Sequence, residues 1–435
     1  MSLMKKIKVD HNQQYLVYED NTPFFYLADT AWCAPQKLSR EDWQYYLRIR
    51  SQQGFQTVQI CALSEDDGLA KANYYGCLPF LPLRSDGCLI PDEQSDYSYW
   101  DHLDWMIEEA QKFAIVIALL PTWGDKFNRE SHGIGPEIFN ESNAYCYGRW
   151  IAKRYRKYDH IIWVLGGDRA LRETYHTRII DRMAEGIREI DQEHLITFHP
   201  CGAASSVDFL SNRSYLDFHS IQSGHGLECY DSWRMIRNTV KREHKPCLDM
   251  ESRYEDFPAC FREDIGYCWD DADIRQNIYW NMMEGACGLT YGHRSVWRFE
   301  PRRSLAYPFT WKEALERPGA LQMQYAERLR RSRPFLEFRA APELTEDYVA
   351  PNAHIGAGRG EEYAFFYSPL GLPIKIHLEP FAQSPVKLSW FDPRTGTETP
   401  FSVVEAKNQL IVPPTSGKGN DWVLIADCMA GKKKK

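Results

Sequence analysis

Residues 161–199 read IIWVLGGDRALRETYHTRIIDRMAEGIREIDQEHLITFH. An apolar run of strand length, Ile161–Gly166, leads into a glycine pair and an acid. An amphipathic stretch, Glu173–Glu189, follows with apolar residues at i, i+3 and i+4, and then a second apolar run, Leu195–His199. Strand, helix, strand in that order is the unit of a parallel sheet, since parallel neighbours need a long crossover between them. The same alternation repeats in both directions. Strands are expected at Phe24–Thr30, Thr57–Leu63, Ile115–Pro121, Asp217–Gln222, Pro246–Met250 and Ala286–Tyr291 as well. Helices are expected at Ser39–Gly54, Trp100–Phe113, Asn143–Tyr155, Ser232–Glu243 and Ile274–Glu284, with only a short one, Ser205–Ser211, after the fifth strand. Ser39 stands where it can cap the first helix, and Asp101 and Asp104 fall in the first turn of the second. Eight strands alternating with helices predict an α/β fold, a TIM (β/α)8 barrel. An open doubly wound sheet would carry a Gly-rich phosphate turn after its first strand, whereas here that strand runs into DTAWCAP.

Beyond RRSRP (330–334) the helical period gives way to strand-like runs, YAFFYS, IKIHL, VKLSWF, QLIVPP and DWVLIA, separated by turn clusters. A β-sandwich is predicted there. The expected division is a barrel over 1–335, a sandwich over 336–430 and a disordered tail over 431–435.

Fifty-two basic against sixty acidic residues leave a net charge of −8, which argues against a nucleic-acid surface. No run approaches the ~18 apolar residues of a membrane span. The N-terminal residues show basic groups but no apolar signal core, and the twelve cysteines lie without CxxC pairs, mostly in apolar contexts. A cytoplasmic protein with reduced thiols is the expectation, its oligomeric state open.

In such a barrel, chemistry sits where strands end at the C-terminal face. The fourth strand delivers Asp168 and the seventh Glu251. Two carboxyl groups in one cleft are the minimum apparatus of glycoside hydrolysis: one protonated to serve the leaving oxygen, one ionised to face the anomeric carbon. A lone carboxylate at a strand end often pairs with an arginine, and Arg169 and Arg253 stand close; the pair on two strands makes the catalytic case. Asp249, deeper in the seventh strand, is expected to be structural. The sequence is 14% aromatic, and rings at strand ends suit the C–H faces of sugars. Asp29, Trp32, Trp123, His199, His219, Gln222, His225, Tyr291 and His293 are the candidate substrate contacts. No HxH pair, GxSxG elbow or nucleotide-binding glycine motif occurs, so neither metal nor cofactor is expected. The long segment Glu65–Ser98 is expected to cover part of the mouth, favouring exo action. A carbohydrate-binding barrel without turnover and an endo-acting glucanase are the alternatives.

FFYLADTAW, WVLGGD, the ME pair at 250–251, YGH at 291–293, SWFDPRTG and NDWVLIA together resemble the apiosidase-like glycoside hydrolases, whose barrel is followed by a domain labelled collagen-binding. The resemblance spans nearly the whole chain. It implies retaining hydrolysis, with Asp168 in the place of the acid/base and Glu251 in that of the nucleophile. Relatives cut apiose from galacturonic acid in a pectin side chain, so a plant-type or pectin-derived oligosaccharide is the implied substrate. Nothing in the second domain suggests recognition of a collagen triple helix, and it is expected to pack against the barrel.

Overall fold

The computed structural model describes residues 4–66, 68–82, 87–130, 133–381 and 384–429; the expected tail at 431–435 lies outside them. A small antiparallel sheet (Ile7–Val9, Leu16–Tyr18, Pro23–Phe24) precedes the barrel. Eight strands then form the ring: β1 Tyr26–Thr30, β2 Thr57–Cys61, β3 Val116–Leu120, β4 Ile161–Gly166, β5 Ile196–His199, β6 His219–Gln222, β7 Cys247–Asp249 and β8 Gly288–Tyr291. Parallel pairing runs β8-β1-β2-β3-β4-β5 and β6-β7. The two seams are bridged by Asp217 N–H to Ile196 O (2.9 Å) and Cys287 N–H to Cys247 O (2.8 Å), which closes the TIM barrel.

Each strand is buried on both sides, as a parallel sheet under helices must be. On β3, Ile117 and Leu119 pack outward with Leu103 and Met106, while Val116, Ala118 and Leu120 join the inner cluster with Ile162 and Val164. This alternation fixes which side chains point into the barrel and which cannot.

The helices are α1 Arg40–Gln52, α2 Tyr99–Lys112, α3 Glu141–Tyr155, α4 Thr174–Ile190, α5 Ser206–Leu210, α6 Ser232–Arg242, α7 Asp271–Met283 and α8 Pro318–Arg331. Ser39 caps α1 through Asp42 N–H (3.1 Å). Asp101 completes a reciprocal cap with Ser98 on α2. The weak fifth helix is real but only five residues long.

The C-terminal strands make a six-stranded antiparallel sheet and a two-stranded one, a β-sandwich. Alternate residues of its central strand, β9 (Trp422–Cys428), serve different neighbours. Val423 and Ile425 join the barrel-side core with Tyr279 and Met283 of α7, and Leu424 and Ala426 pack inside the sandwich with Ile374 and Ile376. One buried ion pair crosses the junction: Arg275 of α7 donates to Asp421 at 2.8 Å, both about fully buried. Arg275 also meets Asp271 and Gln322. Asp421→Ala therefore leaves a buried cation with its main counter-charge gone, and a loss of about 3 kcal/mol in chemical denaturation is expected.

Candidate active site

Beyond β4 the backbone enters the left-handed region three times running, at Gly166 (φ +90°), Gly167 (φ +116°) and Asp168 (φ +55°). A Cβ on Gly167 would lie 2.8 Å from Gly124 N and 2.9 Å from Trp123 Cα, so the glycine is demanded by space as well as by φ. Asp168 is a non-glycine residue with its backbone in the left-handed region, a state that persists where its surroundings over-determine it. Gly167 N–H donates to His199 O (3.1 Å), and Asp168 N–H donates to His199 Nδ1 (3.2 Å). With Nδ1 accepting, the imidazole proton of neutral His199 resides on Nε2, which lies 3.3 Å from Glu251 Oε2. One imidazole thus spans the two candidate catalytic residues.

Glu251 lies in the bend just past β7 and is buried. Its Oε1 accepts from His225 Nε2 at 3.2 Å. Burial alone would raise this carboxyl, but the His199 and His225 imidazoles outweigh it and hold Glu251 below the usual range. Asp168 moves the other way: burial and the Glu251 charge raise it, against Arg169, His199 and Gln222. About a quarter of its side chain stays open to the cavity, so proton exchange with solvent and substrate is unobstructed. Arg253 does not neutralise Glu251, since it turns away to Gln276, Asp273 O and the Cys229 sulfur. Asp249, as expected, is structural: it receives Ser223 Oγ (2.5 Å), Ser223 N–H (3.1 Å) and Asn281 (3.1 Å).

Two cavities share Asp168, Glu251, His225 and Phe261. The smaller, about 150 Å³, is a chamber walled by Trp32, Trp123, Tyr254, Phe257 and Trp297. Trp32 Nε1 donates to Tyr254 OH (2.8 Å), and Trp32 and Trp123 lie 5.2 Å apart, both over His199. Gly292 of the YGH sequence makes room for this wall, since a Cβ there would fall 2.1 Å from the Tyr254 ring. The larger cavity, about 420 Å³, runs past Gln222, Cys201 and the Arg172–Glu130 pair. Trp123 Nε1, Gln222 Oε1 and His225 Nδ1 are buried with no hydrogen-bond partner among the described residues, and all three residues line these cavities. Buried polar atoms are almost always bonded, so such a cluster marks a seat for a polar ligand.

Of the residues read from the sequence, Asp168, Glu251, Trp32, Trp123, His199, Gln222 and His225 converge here. Four others do not. Asp29 and Tyr291 are register neighbours on β1 and β8 and face the helices, Asp29 binding Arg50 and Tyr46, and Tyr291 binding Glu255. His219 faces outward to Ser206 and Glu243, and burial lowers it to about 4. It stands three positions from Gln222 on one extended strand, so the two cannot share a face. His293 pairs with Asp256 outside the cavities. Glu65, Tyr254, Phe257, Phe261 and Trp297 are additional lining residues. Their signal was aromatics and acids soon after a strand end, without a period to place them. Among the described residues of 65–98, only Glu65 lines these two cavities; Tyr75 and Tyr97 lie back against Arg40 and His102.

A closed parallel barrel with two oppositely biased carboxyl groups beneath an aromatic chamber has the build of a glycoside hydrolase. The chain belongs to the apiosidase-like family: the model of the "Apiosidase-like, catalytic domain" matches residues 10–337. The "Putative collagen-binding domain of a collagenase" matches residues 343–427. Among solved structures, the chain is similar to a glycoside hydrolase family 5 protein from Bacteroides vulgatus ATCC 8482, at 29% identity and TM-score 0.88 over 98% of this chain and 94% of that one. It is also similar to a protein described as a glycoside hydrolase, at 27% identity and TM-score 0.89 over 99% of both. No curated protein matches its sequence. The chain is thus a glycosidase by family and fold.

Gly167→Ala forces a Cβ against Trp123 and Gly124 and a strained φ. It is expected to lower stability by about 1–3 kcal/mol in calorimetric or denaturant unfolding, and to reduce turnover by displacing Asp168.

Proposed function

We propose that the protein is a retaining exo-glycosidase in which Glu251 is the nucleophile and Asp168 the acid/base. The observation that carries this is the opposite electrostatic bias of two carboxyl groups lining one cavity: Glu251 is shifted down between two imidazoles, and Asp168 is shifted up by burial and by the Glu251 charge. Glu251 Oε2 attacks the anomeric carbon as the Asp168 proton passes to the departing glycosidic oxygen, leaving a glycosyl ester on Glu251. Asp168, now a carboxylate, takes a proton from water as that water attacks the same carbon; the ester breaks and both groups return to their starting states.

The small aromatic chamber suits one terminal sugar, and the larger cavity, with Gln222, Arg172 and Glu130 on its wall, suits the remainder of the substrate. That asymmetry supports exo action over an endo-acting groove. Family membership supports a short plant-type or pectin-derived oligosaccharide as substrate. A cytoplasmic setting is proposed on the cysteine content, with Cys33, Cys61, Cys229, Cys247 and Cys287 buried as core thiols.

Glu251→Gln is expected to fold normally and lose at least roughly 10³-fold in kcat on pectic oligosaccharides; near-normal turnover would overturn the assignment. Proton NMR of the first-formed sugar should show the substrate's anomeric configuration, and the opposite anomer would recast Glu251 as a base acting on water. The pH dependence follows from the two shifts. Activity requires Glu251 ionised and Asp168 protonated, so kcat/KM rises through the lowered Glu251 titration on the acid side and falls through the raised Asp168 titration on the alkaline side. Asp168→Asn should abolish the alkaline fall along with most of the rate on poor leaving groups.

A further inference from the structure

Glu65 is the third carboxyl group of the catalytic chamber and has no part in the steps above. It stands just past β2, about a quarter exposed, and its only bonded partner among the described residues is Arg169. Arg169 is wholly buried. Its Nη1 donates to Asp168 O (2.7 Å) and to Asp168 Oδ2 (3.1 Å), and its Nη2 donates to Glu65 Oε1. The guanidinium is therefore a planar fork with one prong on the acid and the other on Glu65. Its stem is fixed by Gly124, where an added Cβ would sit 2.8 Å from Arg169 Cβ.

We propose that Glu65 is a positioning residue for the acid/base, holding Arg169 as a cation shared between two carboxyl groups so that Asp168 keeps its proton to higher pH. The proposal rests on the reading of Asp168 as proton donor. The physical argument is one of divided charge. An arginine serving a single carboxylate stabilises its ionised form strongly and would make Asp168 a poor proton carrier near neutrality. A second anion on the far prong offsets part of that field and prevents the guanidinium from turning fully onto Asp168.

The other groups facing this cluster are accounted for. Asp168 also faces Glu251, His199 and the Cys201 thiol. Glu65 and Arg169 also face Asp125, which is buried and bonded to Lys126 at 2.8 Å. Burial pushes Glu65 up to about 7, with Arg169 opposing and Asp168 and Asp125 adding to the rise. Where Glu65 is ionised, its charge offsets part of that of Arg169, which lies bonded between it and Asp168.

The test is a carboxyl ¹³C NMR titration of aspartate-labelled enzyme, with the Asp168 signal assigned by Asp168→Asn, in wild type, Glu65→Gln and Glu65→Asp. In Glu65→Gln the Asp168 midpoint should fall by roughly 0.5–1 pH unit, and Glu65→Asp, which retains the charge, should restore most of it. The alkaline limb of kcat/KM on short pectic oligosaccharides should move acidward by the same amount, with the acid limb unmoved because Glu251 answers to His199 and His225. An unmoved midpoint in Glu65→Gln overturns the proposal. So does a uniform loss of kcat/KM at every pH with the limb in place, which would make Glu65 a sugar contact or a structural group. The titration needs no substrate, so it stands apart from the functional reading. Full turnover in Asp168→Asn on a poor leaving group would defeat the acid assignment itself.

Discussion

The His199 ring accepts the N–H of Asp168 on one nitrogen and presents the other to Glu251, and the mouth of the barrel is organised about that bridge. β5 carries the ring, β4 sends Asp168 to it along a left-handed turn, and β7 brings Glu251 from across the barrel. Trp32 and Trp123 pack against the same imidazole, so the aromatic chamber and the carboxyl pair share one support. A buried ring bonded to the Asp168 backbone through one nitrogen and packed against two tryptophans has little freedom to rotate, and that rigidity keeps the two carboxyl groups from separate loops in register.

Two carboxyl groups within one low-dielectric pocket repel, and the protein resolves the repulsion by unequal solvation. Glu251 receives two imidazoles and Asp168 receives an arginine whose charge is divided with Glu65. The outcome is two carboxyl groups shifted in opposite directions, the kind of separation that acid-assisted glycosyl transfer requires. The positive φ at Asp168 belongs to the same arrangement, since that turn brings its carboxyl to the two cavities it lines.

The second domain contributes at a distance. Its central sheet uses one face for its own core and the other for α7 and α8, so the barrel wall that bears β7 and β8 is backed by a second hydrophobic layer. Arg275 and Asp421 pin that junction electrostatically, and Trp280 Nε1 adds a bond to His354 O (2.8 Å). No described residue of the sandwich lines either cavity.

Hydrophobic period and turn chemistry made the barrel legible along the chain: all eight strands were placed to within two residues at each end, because a strand buried on both faces is a continuous apolar run whatever surrounds it. The strand-end acids Asp168 and Glu251 were legible for a related reason, as ionisable groups interrupting such runs have few places to go but the rim. Side-chain facing was not. Asp29, His219 and Tyr291 lie on strands that were correctly placed, yet one residue of phase sends them to the helices instead of the cavity. Glu65, Tyr254 and Trp297 come from loops with no period, and only closure of the ring brings them within reach of residues more than two hundred positions away, as when Trp32 meets Tyr254. Local periodicity is a property of the chain and survives in one dimension. Which side chain faces which, and hence which carboxyl is acid and which is anion, is a property of the three-dimensional field that folding alone assembles.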